Sequence, residues 1–347
     1  MPMKLKSVLL SSAALTVMST GAFAQENVLY VAGNGGSQEE LMRAEIFPAF
    51  EAETGIEIVY SAGNSAAVLA KLLAQEANQQ VDVAMMNTGP MSQAIELGIC
   101  QDLDLGEHEA NIYDFAKFES GKAVGFGVVS LGLAYNKDVF AREGWDAPTS
   151  WTDLEDPKFA GKIVFQPLNN TNGMLALIKL AEIYGGGVDN LDPGFAVMAE
   201  KIAPNVLSFE PASARLAEMF QSGEVDLAVW SSTQVKVLAE SGFPVELVYP
   251  SEGAMVISND VCAVNTSAPK PEAQAFINYL VSPEVQEILA KGLGFGPVNK
   301  LAELTPEEAV GIPYGPEQVS SLEVVDWNVV NANREDWDRR WVREIER

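Results

Sequence analysis

The hydrophobic pattern of the first 90 residues repeats one unit three times. Short apolar runs at 28–31, 56–60 and 81–86 each lead into a turn that is rich in Gly, Ser or Asn. After each turn, apolar residues recur at helical spacing, as Val68 does with Leu72. A strand, a polar turn and a helix in this order predict parallel strands joined by helices, which is an α/β fold.

The same unit returns in the second half of the chain. Apolar runs at 162–165, 206–209 and 225–230 are each followed by a polar turn and a helical segment. Between the two halves, residues 124–135 predict one long strand that contains two closely spaced glycines. Such glycines suit a hinge or a close approach of two backbones.

Two local features complete the pattern. Ser37 suits the N-cap of the first helix, and Glu40 three residues later would complete a capping box. Near the C-terminus, Trp337 and Trp341 are four residues apart and share one helix face. We interpret them, with Trp327, as packing across the back of the fold rather than as part of a cofactor site.

The segment from Gly223 to Val264 carries the most informative motif. It contains a strand, a polar turn, a helix and two further β-rich runs at 245–249 and 261–264. The join between the last two, Pro-Ser-Glu-Gly, has no helix. This order resembles the hinge region of the extracellular solute-binding proteins of ABC importers, in the group that contains spermidine and putrescine binders. In that group a G-E-x-D-L-A-x-x-W run leads to P-x-E-G and then to a helix similar to residues 271–280 here.

The resemblance runs over nearly all of the mature chain and implies a two-lobe α/β fold of the second class of periplasmic binding proteins. It implies two hinge crossings, near Gly125 and Gly253, and a ligand cleft between the lobes. Lobe one is expected to comprise residues 26–127 and 255–310, lobe two residues 128–254, and the C-terminal helices that brace both lobes residues 311–347.

The length of the chain limits its organisation, and its charge limits its partners. The 347 residues allow about two domains. The formal net charge of −26 argues against nucleic acid as a partner, since phosphate contacts need clustered Lys and Arg. The same charge repels anionic membrane surfaces. It also suits long-range steering of cationic solutes, although acidity that simply keeps a secreted protein soluble is the simpler interpretation.

The N-terminus resembles a cleavable signal peptide over residues 1–24. Lys4 and Lys6 form the charged part, residues 8–18 the apolar part, and Ala22-Phe23-Ala24 the cleavage site. Removal of this segment leaves 20 basic and 48 acidic residues, a net charge of −28. Because no Cys lies near the cleavage point, we expect a periplasmic protein that begins at Gln25 and has neither a lipid anchor nor a stable membrane insertion.

The rare residues exclude several kinds of chemistry. His108 is the only histidine, so the chain cannot assemble a His-based triad or a His/Cys metal cluster. We therefore expect no metal and no cofactor. Cys100 and Cys262 both lie near strands of lobe one, and either a structural disulfide or two buried thiols is compatible with the sequence.

Polar turns at strand ends provide the candidate ligand-binding residues, because in open α/β sheets ligands bind at the carboxyl ends of strands. Each of these residues could equally serve as an ordinary cap or turn. The candidates in lobe one are Gly36, Ser37, Asn64, Ser65, Asn87, Thr88 and Asp260. Those in lobe two are Asn170, Thr171, Asn172, Arg215, Trp230 and Ser232.

The resemblance also bears on the solute. Polyamine binders of the group use aromatic residues and several carboxylates, whereas the corresponding turns here carry Gly, Asn and Thr. Trp230 and Asp260 match an aromatic residue and an amine-binding aspartate of the group. We therefore predict a small, amino-acid-like solute, whose amine Trp230 and Asp260 hold and whose polar or anionic end contacts turn N–H groups and Arg215. A polyamine is the alternative solute, and the absence of a Tyr-Tyr pair argues against iron.

The functional prediction is a monomeric binding protein that closes around a solute and delivers it to a membrane permease. An enzyme on the same fold is the alternative class. It would need a nucleophile with a base, a metal or a tuned carboxylate pair, and no residue spacing in the chain indicates one.

Overall fold

The computed structural model of the chain describes residues 27–266, 270–320 and 322–346. The predicted signal peptide, residues 1–24, lies outside the described residues. The strands are β1 Val28–Asn34, β2 Glu57–Gly63, β3 Val83–Asn87, β4 Val124–Asn136, β5 Ile163–Phe165, β6 Val206–Phe209, β7 Leu227–Ser231, β8 Val245–Val248, β9 Ala254–Ala263 and β10 Leu322–Glu323. The helices are α1 Ser37–Leu41, α2 Phe47–Thr54, α3 Ser65–Ala74, α4 Thr88–Glu96, α5 Lys137–Glu143, α6 Thr171–Ile183, α7 Asp192–Val197, α8 Ser213–Ser222, α9 Ser232–Glu240, α10 Pro271–Leu280, α11 Pro283–Leu293, α12 Pro316–Ser320 and α13 Trp327–Glu344.

The sheet has the order β2-β1-β3-β9-β4-β7-β5-β6, with β10 beside β9 and β8 beside β4. β1 is parallel to β2 and β3, and β5 is parallel to β6 and β7. The long strand β4 pairs with β9 over residues 124–131 and with β7 over residues 131–135. Because β4 and β9 are antiparallel to each other and to their outer neighbours, the carboxyl ends of both outer groups point towards the middle of this strand pair.

The predicted α/β class and the long strand at 124–135 are confirmed, but β9 is longer than the predicted run 261–264. It begins at Ala254 and pairs with β4 through Ser258, Asn259 and Asp260. These three polar residues interrupt the apolar pattern, which is why the sequence did not indicate the first part of the strand. The second crossing is therefore a strand that follows a turn at Gly253.

Separate hydrophobic cores lie on the two sides of the β4–β9 pair. Val128 and Val129 of β4 pack into the first core, and Leu131 packs into the second. On β9 the change falls between Met255, in the second core, and Val256, in the first. The fold is a two-lobe α/β structure, and the exact bounds of the lobes stay a prediction.

The C-terminal helix α13 contacts elements of both lobes. Asn331 near its start donates a hydrogen bond of 3.0 Å to the carbonyl of Gly89 in α4. Towards its end, the buried Trp341 stacks on Phe165 and meets Phe209 edge-on. This packing agrees with the interpretation of Trp341 as a residue that packs across the back of the fold.

The first helix begins differently from the prediction. Ser37 is its first residue, and Gly36 occupies the N-cap position with φ +67° and no side-chain cap bond. The predicted capping box between Ser37 and Glu40 is therefore wrong. The left-handed backbone at Gly36 favours glycine and turns the helix start towards the end of β1.

The cysteine alternatives are resolved by the structure. Cys100 and Cys262 form a disulfide, with their Cα atoms 5.7 Å apart. It ties β9 to the segment that follows α4. None of the helices in the described ranges is both long and apolar enough to cross a membrane.

Candidate solute-binding cleft

A cavity of about 290 Å³ lies where the carboxyl ends of strands from both lobes meet. Its lobe-one wall is Asn34, Gly35, Ser37, Gln38, Asn87 and Asn259. Its lobe-two wall comes from the end of β7 and one face of α9, namely Ser231, Thr233, Gln234, Lys236, Val237 and Glu240. Val129, Ile257, Gly292, Leu293 and Phe295 supply an apolar floor. We call this cavity the cleft.

The lobe-one wall is a chain of hydrogen-bonded amides. Asn87 donates to Asn259 Oδ1 at 3.1 Å, and the Ser65 hydroxyl lies 3.0 Å from Asn87 Oδ1 and 3.4 Å from Asn34 Oδ1. Asn34 in turn donates to Gln38 Oε1 at 3.4 Å. Such a network holds the amides in one arrangement and leaves polar atoms on the cavity side for a ligand.

The turn after β1 is fixed from behind by Tyr60. Its hydroxyl donates to the carbonyl of Asn34 at 2.7 Å. A Cβ atom at Gly33 would lie 2.5 Å from that hydroxyl, so only glycine fits there. Burial raises the pKa of Tyr60 far above its usual value, with Glu39 adding to the shift, and the phenol therefore remains a donor.

Two features of the cleft lining are suited to an anionic or carbonyl oxygen. Gln38 is 5% exposed, and its Nε2 has no hydrogen-bond partner among the residues that the structure describes. Lys236 is the basic residue of the lining, and it pairs with Glu240 one helical turn away at 2.5 Å. A buried amide donor without a partner is costly, so an acceptor on the ligand would stabilise it.

The predicted lobe-one residues divide among three places. Ser37 and Asn87 line the cleft, and Ser65 supports Asn87 from behind. Asn64 caps α3 by accepting from the Ala67 N–H at 2.8 Å, and Gly36 is the N-cap of α1. The other two, Thr88 and Asp260, line a different cavity on the opposite face of β9.

None of the predicted lobe-two residues lines the cleft. Asn170 caps α6, whose first residue is Thr171, and Asn172 donates to Gln166 at 2.5 Å. Arg215 is exposed and pairs with Glu218 and Glu224. Ser232 is buried, 3.3 Å from the backbone N–H of Ser130.

Trp230 and Asp260, the predicted amine pair, are not brought together at the cleft. Trp230 is fully buried and stacks on Phe220, with ring centroids 5.8 Å apart. Asp260 is also fully buried, and its Oδ1 accepts from the Ser258 hydroxyl at 2.5 Å. Their immediate neighbours, Ser231 and Asn259, are the residues that line the cleft.

Sequence reasoning missed Asn34, Gln38, Asn259 and the α9 residues of the cleft. Successive side chains of a strand point to opposite faces, so a position assigned one residue too early or too late falls on the wrong side of the sheet. The alternation along β9, with Ile257 on the cleft face, was the available signal for Asn259. A group of three or more His, Cys, Asp or Glu side chains placed to hold a metal is absent from the described part of the chain.

Comparison with known proteins identifies the family. The sequence profile of the bacterial extracellular solute-binding proteins matches residues 45–311. The spermidine/putrescine-binding periplasmic protein 1 of Haemophilus influenzae is 29% identical over 268 residues, which cover 72% of this chain and 70% of that protein. The spermidine/putrescine-binding periplasmic protein of Escherichia coli K12 is 24% identical over 320 residues, 87% of each chain.

Solved structures agree with the sequence comparison. A crystal structure described as an ABC transporter from Clostridium perfringens ATCC 13124 superposes with a TM-score of 0.80 at 30% identity. The match covers 91% of this chain and 99% of that one. The chain therefore belongs to the bacterial extracellular solute-binding protein family and is the substrate-binding component of an ABC transporter, not an enzyme.

Proposed function

We propose that the cleft binds a small amine-bearing solute with a polar or anionic second end, such as an ω-amino acid. The observation that carries this proposal is the composition of the cleft wall. One side is a row of amides, the other carries Lys236, and the one carboxylate of the lining, Glu240, is paired with that lysine. The cavity of about 290 Å³ suits a small molecule.

The amine end fits the amide side. Carbonyl oxygens of Asn34, Asn87 and Asn259 can accept hydrogen bonds from an ammonium group. The names of the Haemophilus and Escherichia relatives, which include spermidine and putrescine, support an amine in the solute. This assignment replaces Trp230 and Asp260 of the sequence prediction, since both side chains are fully buried away from the cleft.

The acid end fits the α9 side. Lys236 supplies a positive charge, the hydroxyls of Ser231 and Thr233 line the same wall, and the Gln38 amide supplies a donor. Arg215, the predicted partner of the acid end, is outside the lining and engaged by Glu218 and Glu224. Lys236 takes that role in the proposal.

A polyamine remains the alternative solute, and the relatives' names favour it. Against it, each ammonium group of a polyamine needs a carboxylate or several acceptors, and the lining offers only Glu240. Lys236 already pairs with that carboxylate at 2.5 Å. The wall composition therefore favours a zwitterionic solute over a long polyamine.

Closure of the cleft captures the solute before it is delivered to the permease. A ligand can shift the open–closed balance only by its differential affinity for the two forms, so contacts must come from both lobes. We propose that lobe one, 26–127 with 255–310, closes on lobe two, 128–254, and that residues 311–347 brace them. The closed monomer then presents its solute to a membrane permease. The proposed location is the periplasm, after removal of residues 1–24 and without a lipid anchor.

Isothermal titration of the mature protein with γ-aminobutyrate, putrescine and spermidine tests the solute. We expect γ-aminobutyrate to bind best, and Lys236→Met to weaken it by about 10- to 100-fold, since a hydrogen bond to a charged group contributes about 1.5–3 kcal/mol. Lys291→Met, which removes an exposed lysine paired with Glu287 and Glu308, is the matched control. Binding of spermidine alone at micromolar concentration, strengthened by Lys236→Met, would show that the cleft is a polyamine site, because that change frees the Glu240 carboxylate for an ammonium group.

A further inference from the structure

A second cavity, of about 570 Å³, lies on the face of β9 opposite the cleft. The alternate residues Val256, Ser258 and Asp260 of β9 form one wall. The other walls are α4, residues 115–120 and residues 324–328. The cavity shares no lining residue with the cleft, so a ligand here would not compete directly for the same side chains. We call it the rear cavity.

Asp260 is the unusual group of this cavity. It is 0% exposed, and its Oδ2 has no hydrogen-bond partner within the described part of the chain. Burial raises its pKa to about 7, although the hydroxyls of Ser258 and Thr88 act in the opposite direction. A buried carboxylate oxygen that lacks a donor is costly, and a bound cation with N–H donors would remove that cost.

The remaining walls also suit a positive ligand. Glu96 from α4, Glu119 and Asp326 are exposed carboxylates of the lining. Lys117 is the basic residue of the lining, and Glu109 at 3.3 Å and Asp114 at 3.9 Å already pair with it. The negative charge therefore exceeds the positive charge around the rear cavity, in contrast to the paired charges of the cleft.

The apolar part of the lining decides what kind of cation fits. Phe115, Phe118 and Trp327 contribute aromatic side chains, and Ile95 and Val256 contribute aliphatic ones. A bare metal ion prefers a shell of oxygen ligands, which this half-apolar wall does not provide. An organic ammonium ion uses both halves, since aromatic faces attract cations and apolar walls bury its carbon chain.

We propose that the rear cavity is a second binding site, for a small primary alkylammonium ion whose ammonium group pairs with Asp260 and whose chain packs near Trp327. It is separate from the solute-binding cleft and does not depend on which solute the cleft takes. Its walls include the segment that leads into α13, a helix that contacts both lobes. Occupancy of the rear cavity therefore links β9, α4 and α13 at the back of the hinge.

Calorimetry of the mature protein with butylammonium chloride tests the proposal, with 1-butanol as the uncharged control. We expect butylammonium to bind at pH 8 and butanol not to bind. Asp260→Asn should weaken butylammonium at least about tenfold, because a neutral amide supplies no charge. Asp336→Asn, which removes an exposed carboxylate outside both cavities, and Lys236→Met in the cleft should leave this binding unchanged.

The pH dependence adds an independent readout. Butylammonium stays charged at pH 6 and pH 8, whereas the ionised fraction of a carboxyl with a pKa of about 7 rises about tenfold between them. Affinity should rise by the same factor in the wild type and stay flat in Asp260→Asn. The carboxylates Glu96, Glu119 and Asp326 and the ammonium of Lys117 also line this cavity, and all four are unchanged in that variant.

Three results would overturn the proposal. The first is equal binding of butylammonium by the wild type and Asp260→Asn. The second is binding that Asp260→Asn preserves and Lys236→Met strengthens, which places the amine in the cleft, where Lys236→Met frees the Glu240 carboxylate. The third is the absence of any heat up to about 20 mM butylammonium, a concentration far above the dissociation constants that ligands of this size can reach. The γ-aminobutyrate titration of the cleft is a separate measurement, so either proposal can fail alone.

Discussion

Replacing Asp260 with asparagine should change how the stability of the protein depends on pH. The folded-state pKa of Asp260 is about 7, raised by burial from the ordinary value of 3.8 for an aspartate. At pH values between these two pKa values, the folded state binds more protons than the unfolded state. The contribution of Asp260 to stability is therefore greatest at low pH and falls as pH rises. A shift of about three pKa units corresponds to about 4 kcal/mol over the whole interval. Asparagine does not titrate, so Asp260→Asn removes this pH-dependent contribution to stability.

Urea denaturation at pH 5.5 and pH 8 measures the effect. From the same linkage, the free energy of unfolding of the wild type should fall by about 2 kcal/mol more than that of Asp260→Asn between pH 5.5 and pH 8. Other buried acids, such as Glu182 and Asp226, whose pKa values are also raised by burial, are present in both proteins and cancel. Asp326→Asn, an exposed acid of the same cavity, controls for the loss of one charge. The reasoning is refuted if the stability difference between wild type and Asp260→Asn is the same at both pH values.

Three further predictions concern the cleft, the disulfide and the hinge. Asn259→Asp places a carboxylate in the cleft wall and should raise the affinity for putrescine at least about tenfold in titration calorimetry, with Asn64→Asp, at the cap of α3, as the control. The paired change Cys100→Ser with Cys262→Ser opens a link of sequence separation 162 and should lower the free energy of unfolding by up to about 5 kcal/mol in urea denaturation; an unchanged midpoint would contradict it. Gly253→Ala forces a side chain onto a residue at φ +97°, with the new Cβ 2.5 Å from Glu323 Oε1. It should destabilise the protein by about 1–3 kcal/mol in thermal denaturation. Gly223→Ala, at φ +74° with open space around it, is the control and should cost less.

The fold was predictable because its signals are local and repeated. The apolar run before Asn87 and the turn after it indicate a strand and a helix without reference to any other part of the chain. The long strand β4 could likewise be read from its own residues, and the motif from Gly223 onward indicated the hinge. The disulfide could not be predicted in this way, because the pairing of Cys100 and Cys262 depends on two segments meeting across a sequence separation of 162.

The cleft was harder to predict because its residues depend on side-chain direction and on which helix faces it. Asn87 and Ser37 follow strands directly, and the structure places both at the cleft. Arg215 and Lys236 are both basic residues on lobe-two helices, and only the packing of α9 beside the cleft distinguishes them. Sequence patterns carry no information on that packing.

Alternation along β9 explains how one short stretch serves two different cavities. Ile257 and Asn259 face the cleft, and Val256, Ser258 and Asp260 face the rear cavity. The cleft face carries a neutral amide, and the rear face carries the buried acid. A one-residue shift of register would exchange these faces and place the acid in the cleft. The neighbouring strand resists such a shift, because Asn87 is paired with Asn259 through both the β3–β9 ladder and a side-chain hydrogen bond of 3.1 Å. The charge of the cleft is thus set by strand register as much as by the residue types in the sequence.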